Sequence, residues 1–119
     1  MNKYEVIVVG AGPAGLLAAG RVAELGGRVL VLEKMERAGR KLLITGKGRC
    51  NITNSADVQE FLKHVYPKGR FLRNAFSRFY AENIIRLLER YGVDITLERG
   101  GRYFPTGNKA SEVLRAFLD

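Results

Sequence analysis

Val9-Gly10-Ala11-Gly12-Pro13-Ala14-Gly15 lies between two stretches of different character. Before it, Tyr4-Glu5-Val6-Ile7-Val8-Val9 is a short apolar run rich in β-branched residues, the pattern of a buried parallel strand. After it, Leu16-Leu17-Ala18-Ala19-Gly20-Arg21-Val22-Ala23-Glu24-Leu25 reads as a helix. A strand, a G-x-G-x-x-G turn and a helix in that order open a dinucleotide-binding βαβ unit. Gly10 permits the tight turn out of the strand, and Gly12 lets a pyrophosphate approach the backbone. Gly15 lets the helix lie close to the strand. Pro13 suits the first helical turn, where its missing N–H costs nothing. Ala11 and Ala14 complete a turn whose free N–H groups, at the positive end of a helix dipole, attract a phosphate. A glycine turn that only packs is the alternative. The flanking strand and helix, and the acid that follows, favour binding.

That acid is Glu33. Gly26-Gly27 ends the helix, Arg28-Val29-Leu30-Val31-Leu32 reads as a second buried strand, and Glu33 stands at its carboxyl end. The position matches the spacing of ~20 residues expected after the glycines. A carboxylate there accepts hydrogen bonds from both hydroxyls of an adenosine ribose and repels a 2′-phosphate, which favours FAD or NAD over NADP at this site. The plainer alternative is a solvated glutamate at a strand end.

The chain has 119 residues, 46% hydrophobic and 27% charged, which suits one small globular domain. No apolar stretch reaches the ~20 residues of a membrane span. The run from Tyr4 to Val9 is too short for a signal peptide and leads directly into the glycine turn. The single cysteine, Cys50, excludes an internal disulfide, so a cytoplasmic protein is the expectation. The net charge of +8 is compatible with nucleic acid, a membrane surface or an anionic cofactor. Outside residues 34–49 the basic residues look dispersed and often sit near acids. The longest consecutive basic run is Arg40-Lys41, and no RNA-binding aromatic signature appears. The excess is therefore assigned to phosphate recognition or to surface facing acidic partners, with neither nucleic acid nor membrane expected.

Lys34 begins a long basic loop, punctuated by glycines, that runs to Arg49. Within it Leu42-Leu43-Ile44 suggests a short helical turn packed inward, and Gly46 and Gly48 allow close backbone approaches. Arg40, Lys41 and Arg49 are candidates to reach phosphates or a negatively charged flavin edge, although a solvated basic loop would look the same. In Cys50-Asn51-Ile52-Thr53-Asn54, the Asn and Thr side chains can satisfy turn backbone or bond a cofactor. With no second cysteine to resolve it, Cys50 reads as a packed, idle thiol.

Gly10 to Gly15, Glu33, Gly39-Arg40-Lys41 and the run Thr45-Gly46-Lys47-Gly48-Arg49-Cys50-Asn51-Ile52-Thr53-Asn54 together resemble the opening of the BaiN/RdsA-type flavoproteins. Gly101-Arg102-Tyr103-Phe104-Pro105-Thr106-Gly107-Asn108-Lys109-Ala110-Ser111 is similar to that family as well, so the resemblance covers essentially the whole chain. It implies an FAD-dependent, NAD(P)H-linked oxidoreductase of the two-dinucleotide-binding-domain class. By the same resemblance the first glycines and Glu33 hold the ADP half of FAD. Arg40, Lys41 and Gly46 to Asn51 lie along the pyrophosphate, ribityl and flavin side. The family's proteins are several times longer, with later flavin contacts and an inserted substrate domain.

Further along, Asp57 or Ser55 is expected to cap a short helix reaching His64. His64 is the only histidine, so neither a His-based triad nor a metal set forms around it. Tyr66-Pro67-Lys68-Gly69 is a turn. Phe71, Leu72, Ala75, Phe76 and Phe79 repeat at helical spacing and predict one helix with an aromatic core face. A second helix is expected from about Ala81 to Tyr91, with Ile84, Ile85, Leu87 and Leu88 inward and Gly92 as its stop. Val93 to Arg99 alternates as a strand, Gly100-Gly101 signals a two-residue hairpin, and Arg102 to Pro105 returns. Pro105 should end that strand or sit on an edge. Asn108 is a plausible cap for a last helix, Lys109 to Asp119, with Ala110, Val113, Leu114 and Phe117 on one face.

The fold expectation is α/β: the N-terminal part of a Rossmann-like FAD/NAD(P)-binding domain, with a β-hairpin and extra helices. All 119 residues form one unit, expected to be part of a longer chain because two parallel strands do not bury both sheet faces. A small complete protein is the rival. FAD-dependent electron transfer between NAD(P)H and an organic acceptor is the expected function, and no catalytic residue stands out. The alternatives are a non-catalytic ADP/NAD-binding module and, on charge alone, a basic nucleic-acid-binding domain.

Overall fold

Branched apolar residues favour the pleated sheet, and the two runs rich in them pair with each other. In the computed structural model, which describes residues 3–118, Val6–Val9 (β1) and Val29–Leu32 (β2) form a parallel pair with Val6 opposite Val29 and Val9 opposite Leu32. Parallel strands need a crossover, and Pro13–Glu24 (α1) supplies it along one sheet face. The expectation of buried strands is corrected. Ile7 and Leu32 are exposed and Val9 is 83% exposed, because among the described residues nothing packs on the second face.

The basic loop is more structured than its composition suggests. Arg40–Ile44 (α2) is a short helix entered through Gly39 in the left-handed conformation, φ +66. A tight turn, Thr45–Gly48, follows, with Gly46 and Lys47 both in the left-handed region at φ +56. Leu42 is buried and Leu43 half-buried, as expected, but Ile44 points outward.

Thr53–Asn54 (β3), Ile95–Glu98 (β4) and Arg102–Pro105 (β5) make an antiparallel sheet in the order β3-β5-β4. Only the β4–β5 hairpin is foreseen in the sequence, because two residues of β3 are too few to show alternation. Glu98 pairs with Arg102, so the hairpin loop is three residues, Arg99–Gly101, rather than two. Gly100 and Gly101 both have positive φ there, +77 and +71. Pro105 is the last residue of β5 and pairs only with β4, so its missing N–H breaks no central ladder.

Val58–Lys63 (α3) begins at Asp57, whose Oδ1 accepts the Glu60 N–H at 2.8 Å. In place of the single aromatic helix expected from the sequence there is a 3-10 turn, Gly69–Leu72, followed by Arg73–Arg78 (α4). Phe76 packs edge-on against Phe61 at 5.5 Å and beside Tyr80, while Phe71 is turned outward. Ala81–Arg90 (α5) and Ala110–Leu118 (α6) follow the expected periodicity. Asp119 lies outside the described residues. The core joins Leu16 of α1, Leu42 of α2, Leu88 of α5 and Val113 and Leu114 of α6, with Cys50 and Val93.

Candidate functional site

Three backbone facts account for the glycine turn. Gly10 has φ +104 and donates its N–H to the Leu32 carbonyl at 2.7 Å, so the turn leaves β1 while still tied to β2. A Cβ on Gly15 would lie 1.9 Å from the Gly10 carbonyl oxygen and 3.3 Å from Val8 Cγ1, so helix and strand approach as only glycine allows. A Cβ on Gly12 would meet nothing within 4 Å, which leaves open space over the start of α1. That start has Gly12 as its N-cap, no side-chain cap, and Pro13 in its first turn. Its unpaired N–H groups and dipole make a site for an anion.

Glu33 stands at the carboxyl end of β2 and reaches back to this turn. Its Oε1 accepts the Ala11 N–H at 2.9 Å and its Oε2 accepts the Met35 N–H at 2.8 Å. The Ala11 bond first, then the Met35 bond, hold its pKa below the ordinary carboxylate value. Each carboxylate oxygen has a second lone pair, so two further donors can still be accepted. The side chain therefore fastens the turn and keeps capacity for a pair of hydroxyls.

Gly39, which the sequence singles out only as part of the resemblance and gives no role, helps to build the turn. It is buried, its N–H donates to the Ala11 carbonyl at 2.8 Å, and a Cβ there would lie 2.4 Å from Leu114 Cδ1. It thus brings Arg40 and Lys41, both exposed at the start of α2, to the edge of the glycine turn. A glycine just ahead of two cations was the available signal. Lys34 is exposed directly after Glu33.

The remaining candidates form a second group around the turn Thr45–Gly48. Gly46 has φ +56, and a Cβ there would lie 2.6 Å from the Asn51 backbone nitrogen, so Gly46 and Asn51 are in close contact. Gly48 is open and has φ +86. Arg49 is committed internally: its guanidinium donates to Asn108 Oδ1 at 2.9 and 2.7 Å and to Glu98, and lies 4.0 Å over the Phe104 ring. Asn108 is accordingly engaged by Arg49, and α6 begins two residues later rather than on an Asn108 cap. The Cys50 thiol is buried and burial pushes its pKa up, as suits an idle packed group. His64 is exposed beside Glu60 at 3.4 Å, and no metal-binding cluster exists among the described residues.

A doubly bonded strand-end acid, an open glycine and a bare helix start define a dinucleotide-binding Rossmann unit. Residues 4–119 match the model of the HI0933-like protein Rossmann domain, and the chain belongs to that family. Family membership makes FAD the cofactor, and the open space at Gly12 beside Glu33 fits its ADP half. Among similar proteins is a 3-dehydro-bile acid delta(4,6)-reductase of Clostridium scindens, 34% identical over 116 residues, which are 96% of this chain and 27% of that protein. Others are ribosomal RNA dihydrouridine synthases of Escherichia coli and Haemophilus influenzae. The first is 32% identical over 93 residues, covering 78% of this chain and 23% of the relative. The second is 33% identical over 105 residues, covering 87% and 26%. The chain thus spans about a quarter of the length of these relatives. No helix among the described residues is long and apolar enough to cross a membrane.

Proposed function

We propose that this chain is the ADP-binding portion of a flavin-dependent oxidoreductase of the cytoplasm that moves electrons between NAD(P)H and an organic acceptor. The observation that carries the reading is the open, uncapped turn at Gly12 with the Glu33 carboxylate fixed beside it. In this reading the backbone of Gly10, Ala11, Gly12, Pro13, Ala14 and Gly15 holds the diphosphate and Glu33 accepts the adenosine ribose hydroxyls. Lys34, Arg40 and Lys41 add positive charge at the rim. Gly46, Gly48 and Asn51 offer backbone and amide groups further along the cofactor. Arg49 shapes that second segment from behind. Bound there, the flavin supplies the hydride chemistry, and these residues supply position and electrostatics.

Two variants of the intact protein test this. Gly12→Val has room in the turn, so the flavin-free protein should keep its thermal midpoint, while flavin absorbance after purification and reconstitution with FAD are lost. Glu33→Arg should likewise lower FAD affinity sharply, by placing a donor where hydroxyl donors must be met. Full flavin retention in both variants would overturn the assignment.

A further inference from the structure

Glycine inside a helix costs about 1 kcal/mol against alanine, and a fold keeps it where another backbone must come close. Gly20 sits within α1, and a Cβ there would meet nothing within 4 Å. No contact among the described residues calls for it, in contrast to Gly15 on the same helix. Gly20 lines a groove of about 660 Å³ shaped by α1, α5 and α6. The apolar surface of the groove comes from Leu16 and Leu17 of α1, Leu87 and Leu88 of α5 and Phe117 of α6. Phe79 and Tyr91, which flank α5 at its two ends, also line it and are 38% and 39% exposed. Its charged lining is one-sided, with Arg21, Arg78, Arg86 and Arg90 against Glu24. All four arginines are exposed. Glu24 is shared between Arg21 at 3.3 Å and Arg90 at 3.7 Å, and Arg86 reaches Glu82 at 3.9 Å. Arg78 makes no ion pair among the described residues.

An apolar groove among helices receives the apolar face of another helix, and small residues on a wall, here Gly20 and Ala23, let the two backbones approach. A surplus of arginine around it selects a guest with acidic flanks. We propose that the groove docks an acidic amphipathic helix of a partner protein, its apolar side chains on the leucines and Phe117 and its carboxylates on Arg78, Arg86 and Arg21. None of these residues belongs to the dinucleotide site, so the proposal stands apart from the flavin reading. A second copy of this chain is the lesser fit, because a chain of net charge +8 would set arginine against arginine there. A small apolar acid would use the leucines and arginines and leave Gly20 without a reason, since an alanine at that position would still leave it room.

The test is fluorescence anisotropy of the protein with a labelled, stapled helical peptide of about 14 residues, about 21 Å long, with leucines along one face and glutamates beside them. A twin carrying lysine for every glutamate controls for charge. The acidic peptide should bind, more weakly as salt is raised, and the basic twin should bind at least about tenfold less tightly. Gly20→Leu puts into the groove a side chain that a helix accepts well. Its thermal midpoint should not fall, while peptide affinity drops at least about tenfold. Arg78→Ala with Arg86→Ala should weaken the peptide several-fold and flatten the salt dependence. Flavin content should stay at wild-type level in both variants. No peptide binding by wild type, the result if another stretch of the same polypeptide fills the groove, would overturn the proposal. So would equal binding of the two peptides, unchanged affinity in Gly20→Leu, self-association of the protein that Gly20→Leu abolishes, or dodecanoate binding more tightly than the acidic peptide.

Discussion

A methyl group on Gly15 would lie 1.9 Å from the Gly10 carbonyl oxygen, whereas one on Gly20, a turn and a half further along α1, would touch nothing within 4 Å. Alanine in a helix interior ordinarily gains up to about 1 kcal/mol over glycine, and forcing atoms into a filled space costs about 1–3 kcal/mol. The two substitutions should therefore have opposite signs. Gly20→Ala raises the urea midpoint of the intact protein and Gly15→Ala lowers it; equal shifts would contradict the close contact. Glu33 gives a second prediction at this scale. Its folded pKa is depressed, so its contribution to stability is complete above the ordinary 4.5 and fades as pH falls through the lowered value. Unfolding midpoints measured from pH 6 downward should drop less steeply in Glu33→Gln than in wild type, and parallel curves would show that the Ala11 and Met35 bonds contribute nothing. Gly10, Gly15 and Glu33 are legible in sequence because their duties are fixed by local backbone geometry. Arg49 is not, since a charge on a basic loop looks the same whether it waits for a phosphate or is fastened to Glu98 and Asn108, 49 and 59 residues away.

At the scale of elements, that fastening ties the turn Thr45–Gly48 to the end of β4 and to the loop before α6. The pair is about one-third exposed on each side, which places it among modest surface interactions, and the Phe104 ring adds a cation–π attraction. Arg49→Ala should cost about 1–2 kcal/mol of stability. A double-mutant cycle with Glu98→Ala should recover part of that loss as coupling, and strict additivity would show the pair to be idle. Helices α1, α5 and α6 are readable because long apolar periods survive tertiary context. The aromatic helix is not: Gly69 is buried with the Leu62 carbonyl 2.5 Å from its would-be Cβ, and the tight turn there rotates Phe71 away from the face its spacing suggests. Strand β3 is created by its partner β5 and has no pattern of its own.

Over the whole molecule, the parallel pair β1–β2 has α1 on one side and bare Ile7, Val9 and Leu32 elsewhere. Apolar strand surface of this kind is covered in stable proteins. A chain of these 119 residues should bind a hydrophobic dye such as ANS strongly; weak fluorescence would show the surface to be tolerated in water. The fold class is legible because one βαβ unit announces it. The burial of its strands is not, because a continuous apolar run reports what a strand needs and leaves its neighbours unstated. The buried glycine at position 39 has a wider consequence. Its amide is bonded to the Ala11 carbonyl of the glycine turn and its bare α-carbon rests on Leu114, so the opening turn and the last helix meet at one residue. A side chain at that position would push on the last helix while its amide still held the opening turn, so the two would be disturbed together.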